Sequence, residues 1–124
     1  MGENRIKLVA ADMDGTLLNR ERKITKYTQN VIKKAMAQGV YFVPATGRAV
    51  NALPPELKEM EGIRYGIFSN GATIYDLKEE KVIYKNHFEM DRVLELMDFL
   101  KQFDLMESIS LNGQSYANKK EMEN

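Results

Sequence analysis

Ile6-Lys7-Leu8-Val9-Ala10, followed at once by Asp12-Met13-Asp14-Gly15-Thr16-Leu17-Leu18, is an apolar run that stops on an acidic, glycine-containing loop. The run predicts a strand over 6–10, and the loop predicts the turn that leaves it. Thr25 reads as an N-cap whose hydroxyl accepts a backbone N–H of the next helical turn. Tyr27, Val31, Ile32, Ala35 and Met36 then recur at helical spacing, and Gly39 stands where a left-handed residue ends a helix. Residues 40–45 are β-branched and aromatic enough for a second strand. Thr46-Gly47-Arg48 predicts the next turn, and a weaker helix should follow to about Met60, restarted at Pro54-Pro55. Residues 65–68 predict a third strand. Strand, helix, strand, helix, strand in that order is the pattern of a parallel sheet with right-handed crossovers, so the fold class is α/β.

Beyond Asn70-Gly71 the rhythm changes. Residues 73–75 and 82–84 read as an antiparallel hairpin around 76–81. Asp91 predicts the cap of a helix that carries Val93, Leu94, Met97, Leu100 and Phe103 on one stripe. Asn112-Gly113 between 108–111 and 114–117 is a strong hairpin signal. The tail, 118–124, has no apolar periodicity and is expected to fray.

The 124 residues are enough for one ordinary domain, and 44% hydrophobic with 29% charged side chains is a globular balance. No apolar run reaches the ~18–20 residues of a membrane span, Met-Gly-Glu-Asn-Arg at the start has no apolar region of the kind a secretory leader needs, so none is expected, and cysteine is absent. Disulfide scaffolds and thiolate metal sites are excluded, and a cytoplasmic location is expected. The 18 basic and 18 acidic groups cancel, which argues against a nucleic-acid partner, though residues 1–50 hold nine basic against four acidic. Lys33 and Lys34 fit a solvated helix face, and the single histidine, His87, has no ligand-like neighbour.

Asp12 and Asp14 are two carboxylates leaving an extended strand, so they should face one side while Met13 faces the other. Like charges this close need a cation or a shared proton, and no basic residue is adjacent in sequence. Oxygen donors alone suit Mg²⁺, and one carboxylate can then act as nucleophile while the other shuttles a proton. Gly15 allows a sharp turn that brings backbone N–H groups toward an anion. The same residues also fit a plain strand-end cap and turn. An EF-hand is excluded, since counting from Asp12 puts Leu17 and Lys23 where glycine and glutamate belong. Neither a dinucleotide nor a Walker-type glycine pattern is present. Asp12, Thr46 and Asn70 each follow one of the three predicted strands, and ligands of open parallel sheets bind beyond those strand ends. Thr46 offers a hydroxyl and Gly47 an approachable N–H; read alone, either turn is also an ordinary cap.

Asp12-Met13-Asp14-Gly15-Thr16-Leu17-Leu18, Ala45-Thr46-Gly47-Arg48 and Ser69-Asn70-Gly71-Ala72 together resemble the haloacid dehalogenase (HAD) superfamily of aspartate-nucleophile phosphotransferases, and within it the Cof-type phosphatases with a C2B cap. The resemblance implies a three-layer, Rossmann-like parallel sheet, of which this chain holds the first half, followed by the start of an α+β cap. It implies that Asp12 is the nucleophile, forming an aspartyl-phosphate and placing one oxygen on Mg²⁺. Asp14 would be the acid/base, with its carbonyl on the same ion. Thr46 and Gly47 would bind the transferring phosphoryl group, Asn70 would lie near the substrate, and Arg48 would take a substrate-side role. The family pattern also has a later lysine and a Gly-Asp-x-x-Asn-Asp-like motif, neither of which occurs here. Residues 1–87 are therefore expected to be the N-terminal half of a catalytic core and 88–124 the beginning of a cap. The expected function is Mg²⁺-dependent hydrolysis of small phosphorylated metabolites such as sugar phosphates, with this chain an incomplete and weakly active or inactive fragment. A phosphomutase of the same superfamily and a non-catalytic binding or oligomerising module are the alternatives. The strand over 6–10, without later strands beside it, is expected to be an exposed edge open to self-association.

Overall fold

The computed structural model describes residues 5–112 and 114–117. Strand β1 is Leu8–Asp12, and helix α1, Lys26–Ala37, crosses to strand β2, Tyr41–Ala45. A 3₁₀ turn at Val50–Ala52 and the one-turn helix α2, Pro55–Lys58, lead to β3, Tyr65–Phe68. A second 3₁₀ turn, Ser69–Gly71, precedes β4, Thr73–Asp76, and β5, Lys81–Lys85. Helix α3, Met90–Leu100, and the hairpin of β6, Ser108–Leu111, with β7, Gln114–Ala117, complete the described elements. Gly113 and the tail, 118–124, lie outside the described residues.

One sheet has the order β1-β2-β3-β4-β5. Its first three strands are parallel, and β4 and β5 join them antiparallel. The expected hairpin thus extends the main sheet, making it mixed. The register pairs Asp12 with Ala45 and Ala45 with Ile67, so β1, β2 and β3 end side by side.

Local chemistry accounts for most of these bounds. Thr25 Oγ1 accepts from Thr28 N–H at 3.2 Å, and Gly39 takes φ +86° just beyond α1. Ile32 turns the apolar stripe of α1 inward, whereas Lys33 and Lys34 stay exposed. Phe42, Val43 and Pro44 are all buried, as befits a parallel strand covered on both faces. Met13, Leu57 and Phe68 are completely buried at the centre of the core, with Ile24, Leu53 and Met60 around them.

Four expectations need correction. The first strand is shifted to Leu8–Asp12 because pairing with β2 continues to Ala45, which makes Asp12 a strand residue. The weak helix after Arg48 becomes two short turns: Pro55 takes the first helical position, and a proline further in would have broken the ladder. Glu89, not Asp91, is the N-cap of α3; Asp91 lies inside its first turn, where an acidic group still complements the helix dipole. Phe103 lies beyond the end of α3, and no residue of that helix is buried. Among the described residues no helix is long and apolar enough to cross a membrane.

Candidate active site

The three turns that follow β1, β2 and β3 are tied to one another. Thr46 N–H donates to Ile67 O at 2.9 Å, Asn70 N–H to Thr46 O at 3.1 Å and Ser69 N–H to Arg48 O at 3.0 Å. Asp12, Thr46, Gly47, Arg48 and Asn70 therefore come to one sheet edge, with Asp14 joined to them through Arg48.

Met13–Leu17 is a tight loop closed by Leu18 N–H donating to Met13 O at 2.9 Å. Met13 is completely buried while Asp12 and Asp14 are exposed, so the hydrophobic anchor between them turns both carboxylates to solvent. Gly15 takes φ +77°, and a Cβ there would meet nothing within 4 Å. Its requirement is purely conformational, because an L side chain pays for the left-handed region in backbone strain.

Asp12 Oδ1 accepts from Met13 N–H at 2.9 Å and Oδ2 accepts from the Thr16 hydroxyl at 3.4 Å. No cation is paired with this carboxylate among the described residues. Asp14 differs. Arg48 Nε donates to Asp14 Oδ2 at 2.9 Å and Nη2 to Oδ1 at 2.6 Å, a two-pronged ion pair. Arg48 Nη1 donates in addition to Ala52 O at 3.2 Å, which fixes the guanidinium plane. The hydrogen bonds from Arg48 hold the Asp14 carboxyl below the ordinary carboxylate value; desolvation opposes this, and the charges of Arg48 and Arg22 add to it. Asp14 in turn raises Arg48 above its already high value. The like-charge conflict read from the sequence is thus relieved by a residue 34 positions away.

Thr46 is buried, and its Oγ1 accepts from Arg48 N–H at 3.0 Å. That bond uses a lone pair and leaves the hydroxyl hydrogen for another acceptor. A Cβ at Gly47 would stand 2.8 Å from Asn70 Oδ1, so the Asn70 amide would have to turn to admit it. Ser69 and Asn70 both have positive φ, +51° and +56°, and strain of this kind collects at functional sites. The Ser69 hydroxyl oxygen is buried without a hydrogen-bond partner among the described residues. Ser69 opens the third motif of the resemblance without an assigned role, and nothing in a Ser-Asn-Gly turn distinguishes such a hydroxyl from a solvated one.

Among the described residues no three His, Cys, Asp or Glu side chains converge as a metal cluster. The donors at the loop are all oxygen, and Mg²⁺ takes one or two carboxylates and keeps several waters, so Asp12 and Asp14 fit it as a partial donor set.

The model of the haloacid dehalogenase-like hydrolase family matches residues 9–124. A curated relative from Buchnera aphidicola subsp. Schizaphis graminum is 38% identical over 121 residues, covering 95% of this chain and 43% of its own. The 5-amino-6-(5-phospho-D-ribitylamino)uracil phosphatase of Bacillus subtilis is 37% identical over 89 residues, 68% of this chain and 36% of its own. The solved structure of a HAD subclass IIB sugar phosphatase superposes with a TM-score of 0.73 at 29% identity, covering 90% of this chain and 43% of its own. The chain therefore spans less than half the length of these proteins.

Proposed function

The chain belongs to the haloacid dehalogenase-like hydrolases, and from that membership we propose that its edge of three strand ends is the phosphoryl-transfer half of a phosphatase for small phosphorylated metabolites, sugar phosphates among them. In this reading an Asp12 carboxylate oxygen attacks phosphorus and the phosphorus–alcohol oxygen bond breaks. Asp14, protonated from solvent once Arg48 has turned from it to the phosphoryl group, delivers that proton to the departing oxygen. Water then gives up a proton to Asp14 and attacks the same phosphorus, breaking the bond to Asp12 and releasing inorganic phosphate. Thr46 donates its hydroxyl hydrogen to the phosphoryl group, Gly47 offers it a backbone N–H, and Asn70 borders the substrate.

Arg48 takes one lone pair of each Asp14 oxygen and lowers the proton affinity of the carboxyl, so Asp14 shuttles a proton more readily once that pairing is loosened. Arg48 therefore exchanges Asp14 for an oxygen of the arriving phosphoryl group, a partner of the same charge and fork geometry. Asp12 and Asp14 would hold Mg²⁺, which when bound neutralises charge between a carboxylate and a phosphate that otherwise repel. The division at 87/88 into core and cap, and self-association through β1, are part of the same proposal. The basic group and further acidic ligands of the family pattern are absent from these 124 residues, so slow turnover is proposed for the chain by itself.

The observation that carries the reading is the Asp12 carboxylate, exposed and without a basic side-chain partner among the described residues, at the end of β1, where the turns after β2 and β3 are hydrogen-bonded together. Hydrolysis of an aryl phosphate with Mg²⁺, beside Asp12→Asn, tests it. The substitution should remove whatever turnover the chain supports, and turnover that survives it overturns the nucleophile assignment. A longer product carrying the lysine and acidic motif should be the faster enzyme.

A further inference from the structure

Asn19-Arg20-Glu21-Arg22-Lys23 forms a small loop closed by four hydrogen bonds beside the turn that follows β1. Asn19 Oδ1 accepts from the N–H groups of both Glu21 and Lys23 at 2.9 Å. Asn19 N–H donates to Lys23 O and Arg22 N–H to Asn19 O, each at 2.9 Å. Arg22 is held at φ +61°, outside the ordinary range of a long side chain. The loop is built for shape, and what it presents is charge. Arg20 and Arg22 are exposed, and neither guanidinium has a hydrogen bond or ion pair among the described residues.

Both arginines line a depression of about 500 Å³ together with Asp14, Gly15, Leu18 and Asn19. Its single carboxylate, Asp14, is already matched by Arg48, so the two arginines leave the depression with an uncompensated positive charge. The charge of Arg22 is felt at Asp14 itself. An adjoining cleft, shared through Arg22, is lined also by Lys23, Arg48, Glu21 and Glu56; with Arg48 matched by Asp14, its other two basic groups face two acidic ones.

On the reading that Asp14 protonates the leaving oxygen, the departing alcohol must lie on the Asp14 side of phosphorus, which is the side of this depression. We infer that Arg20 and Arg22 form a subsite for a second anionic group, a phosphate or carboxylate, on the leaving-alcohol part of the substrate. The substrate class is then a phosphorylated sugar or polyol that carries another negative charge, rather than a simple monophosphate. This inference rests on the proposed function, and its test separates the two.

Fructose 6-phosphate and fructose 1,6-bisphosphate differ only in the second anionic group, and their affinities can be read from amide chemical-shift titrations of the full chain with Mg²⁺. The bisphosphate should bind about tenfold or more tightly, the worth of a charged hydrogen bond, and shift amides of 14–22. R20Q/R22Q should erase that difference, whereas K33Q/K34Q on the outer face of α1 should keep it. Equal affinity for the two sugars, or a difference that survives R20Q/R22Q, overturns the subsite and leaves the phosphatase reading standing. Equal loss of both sugars in R20Q/R22Q also overturns it, because the arginines would then be serving the transferring phosphoryl group. If neither sugar nor inorganic phosphate shifts the turns at Asp12, Thr46 and Asn70, the phosphatase reading falls and takes the subsite with it.

Discussion

Arg48 grips both carboxylate oxygens of Asp14, at 2.9 Å and 2.6 Å, across 34 positions of sequence. The contact ties the turn after β2 to the turn after β1 and keeps Asp14 ionised. Arg48→Ala should therefore move the Asp14 carboxyl upward toward the ordinary value of about 4, as followed by carbon-detected NMR titration. Arg48→Lys should recover part of the depression only, since an ammonium cannot make the parallel pair of bonds.

Asp12 and Asp14 are exposed and contribute no core packing, so their substitutions should separate chemistry from folding. Asp12→Asn should abolish aryl phosphate hydrolysis and leave the circular dichroism spectrum unchanged. Asp14→Asn should lower turnover by about 10²–10⁴, the usual worth of general acid–base catalysis. Normal hydrolysis by either variant would remove that residue from the mechanism.

Gly47 and Asn70 occupy one space, since a Cβ at 47 would lie 2.8 Å from Asn70 Oδ1. Gly47→Ala should turn the exposed Asn70 amide aside, shift its side-chain resonances and destabilise the chain by about 1 kcal/mol or less. Gly47→Ala with Asn70→Ala should be less destabilised than the sum of the two, because the second change removes the atom that the first one strikes. Thermal melts of the three variants measure the coupling.

What could be read in advance follows from where the physical cause lies. Thr25 and Gly39 bound α1 by local capping chemistry, and the residues of β2 and β3 are apolar enough to be strands in any context. The segment after Arg48 forms two short turns instead of a helix because Pro54-Pro55 interrupts it, while Leu53, Leu57 and Met60 are buried through tertiary packing rather than by a continuous helical stripe. Three turns at one edge followed from strand order. The Arg48–Asp14 pair did not: both side chains are polar, and their meeting depends on how two crossovers end. The surplus charge at Arg20 and Arg22 was hidden for the same reason, since basic residues in a loop ordinarily read as solvated surface.

Asp76 carries a second arginine pair, away from the turns that follow β1 and β2. It is buried, with Oδ1 accepting from Lys78 N–H at 3.0 Å and Glu79 N–H at 2.9 Å, and Oδ2 from Arg64 Nε at 3.2 Å and Nη2 at 3.1 Å. The Glu79 N–H, with Arg64 and the Lys78 N–H, holds this carboxyl below its ordinary value against desolvation. A carboxyl depressed in the folded state adds stability above its unfolded pKa of about 4, and that stability is lost as pH falls through the lower folded value. Urea denaturation between about pH 6 and pH 2 should show this acid loss, and Asp76→Asn should flatten the curve there while lowering stability at neutral pH. An unchanged acid limb in the variant would mean that other carboxylates set it.

Strand β1 pairs only with β2 among the described residues. Leu8 and Val9 point to opposite faces of that strand, and they are 55% and 39% exposed. An edge with open backbone groups and both faces apolar is a template for another strand. The sedimentation coefficient of the chain should therefore rise with concentration and hold at high salt, since the contact is apolar rather than ionic. Val9→Lys places a charge on one face of the edge and should bring the coefficient toward the monomer value without unfolding α1. A concentration-independent monomer for the unsubstituted chain would show that β1 is closed by some other means, and an association that Val9→Lys leaves intact would move the contact to the exposed apolar residues of α3.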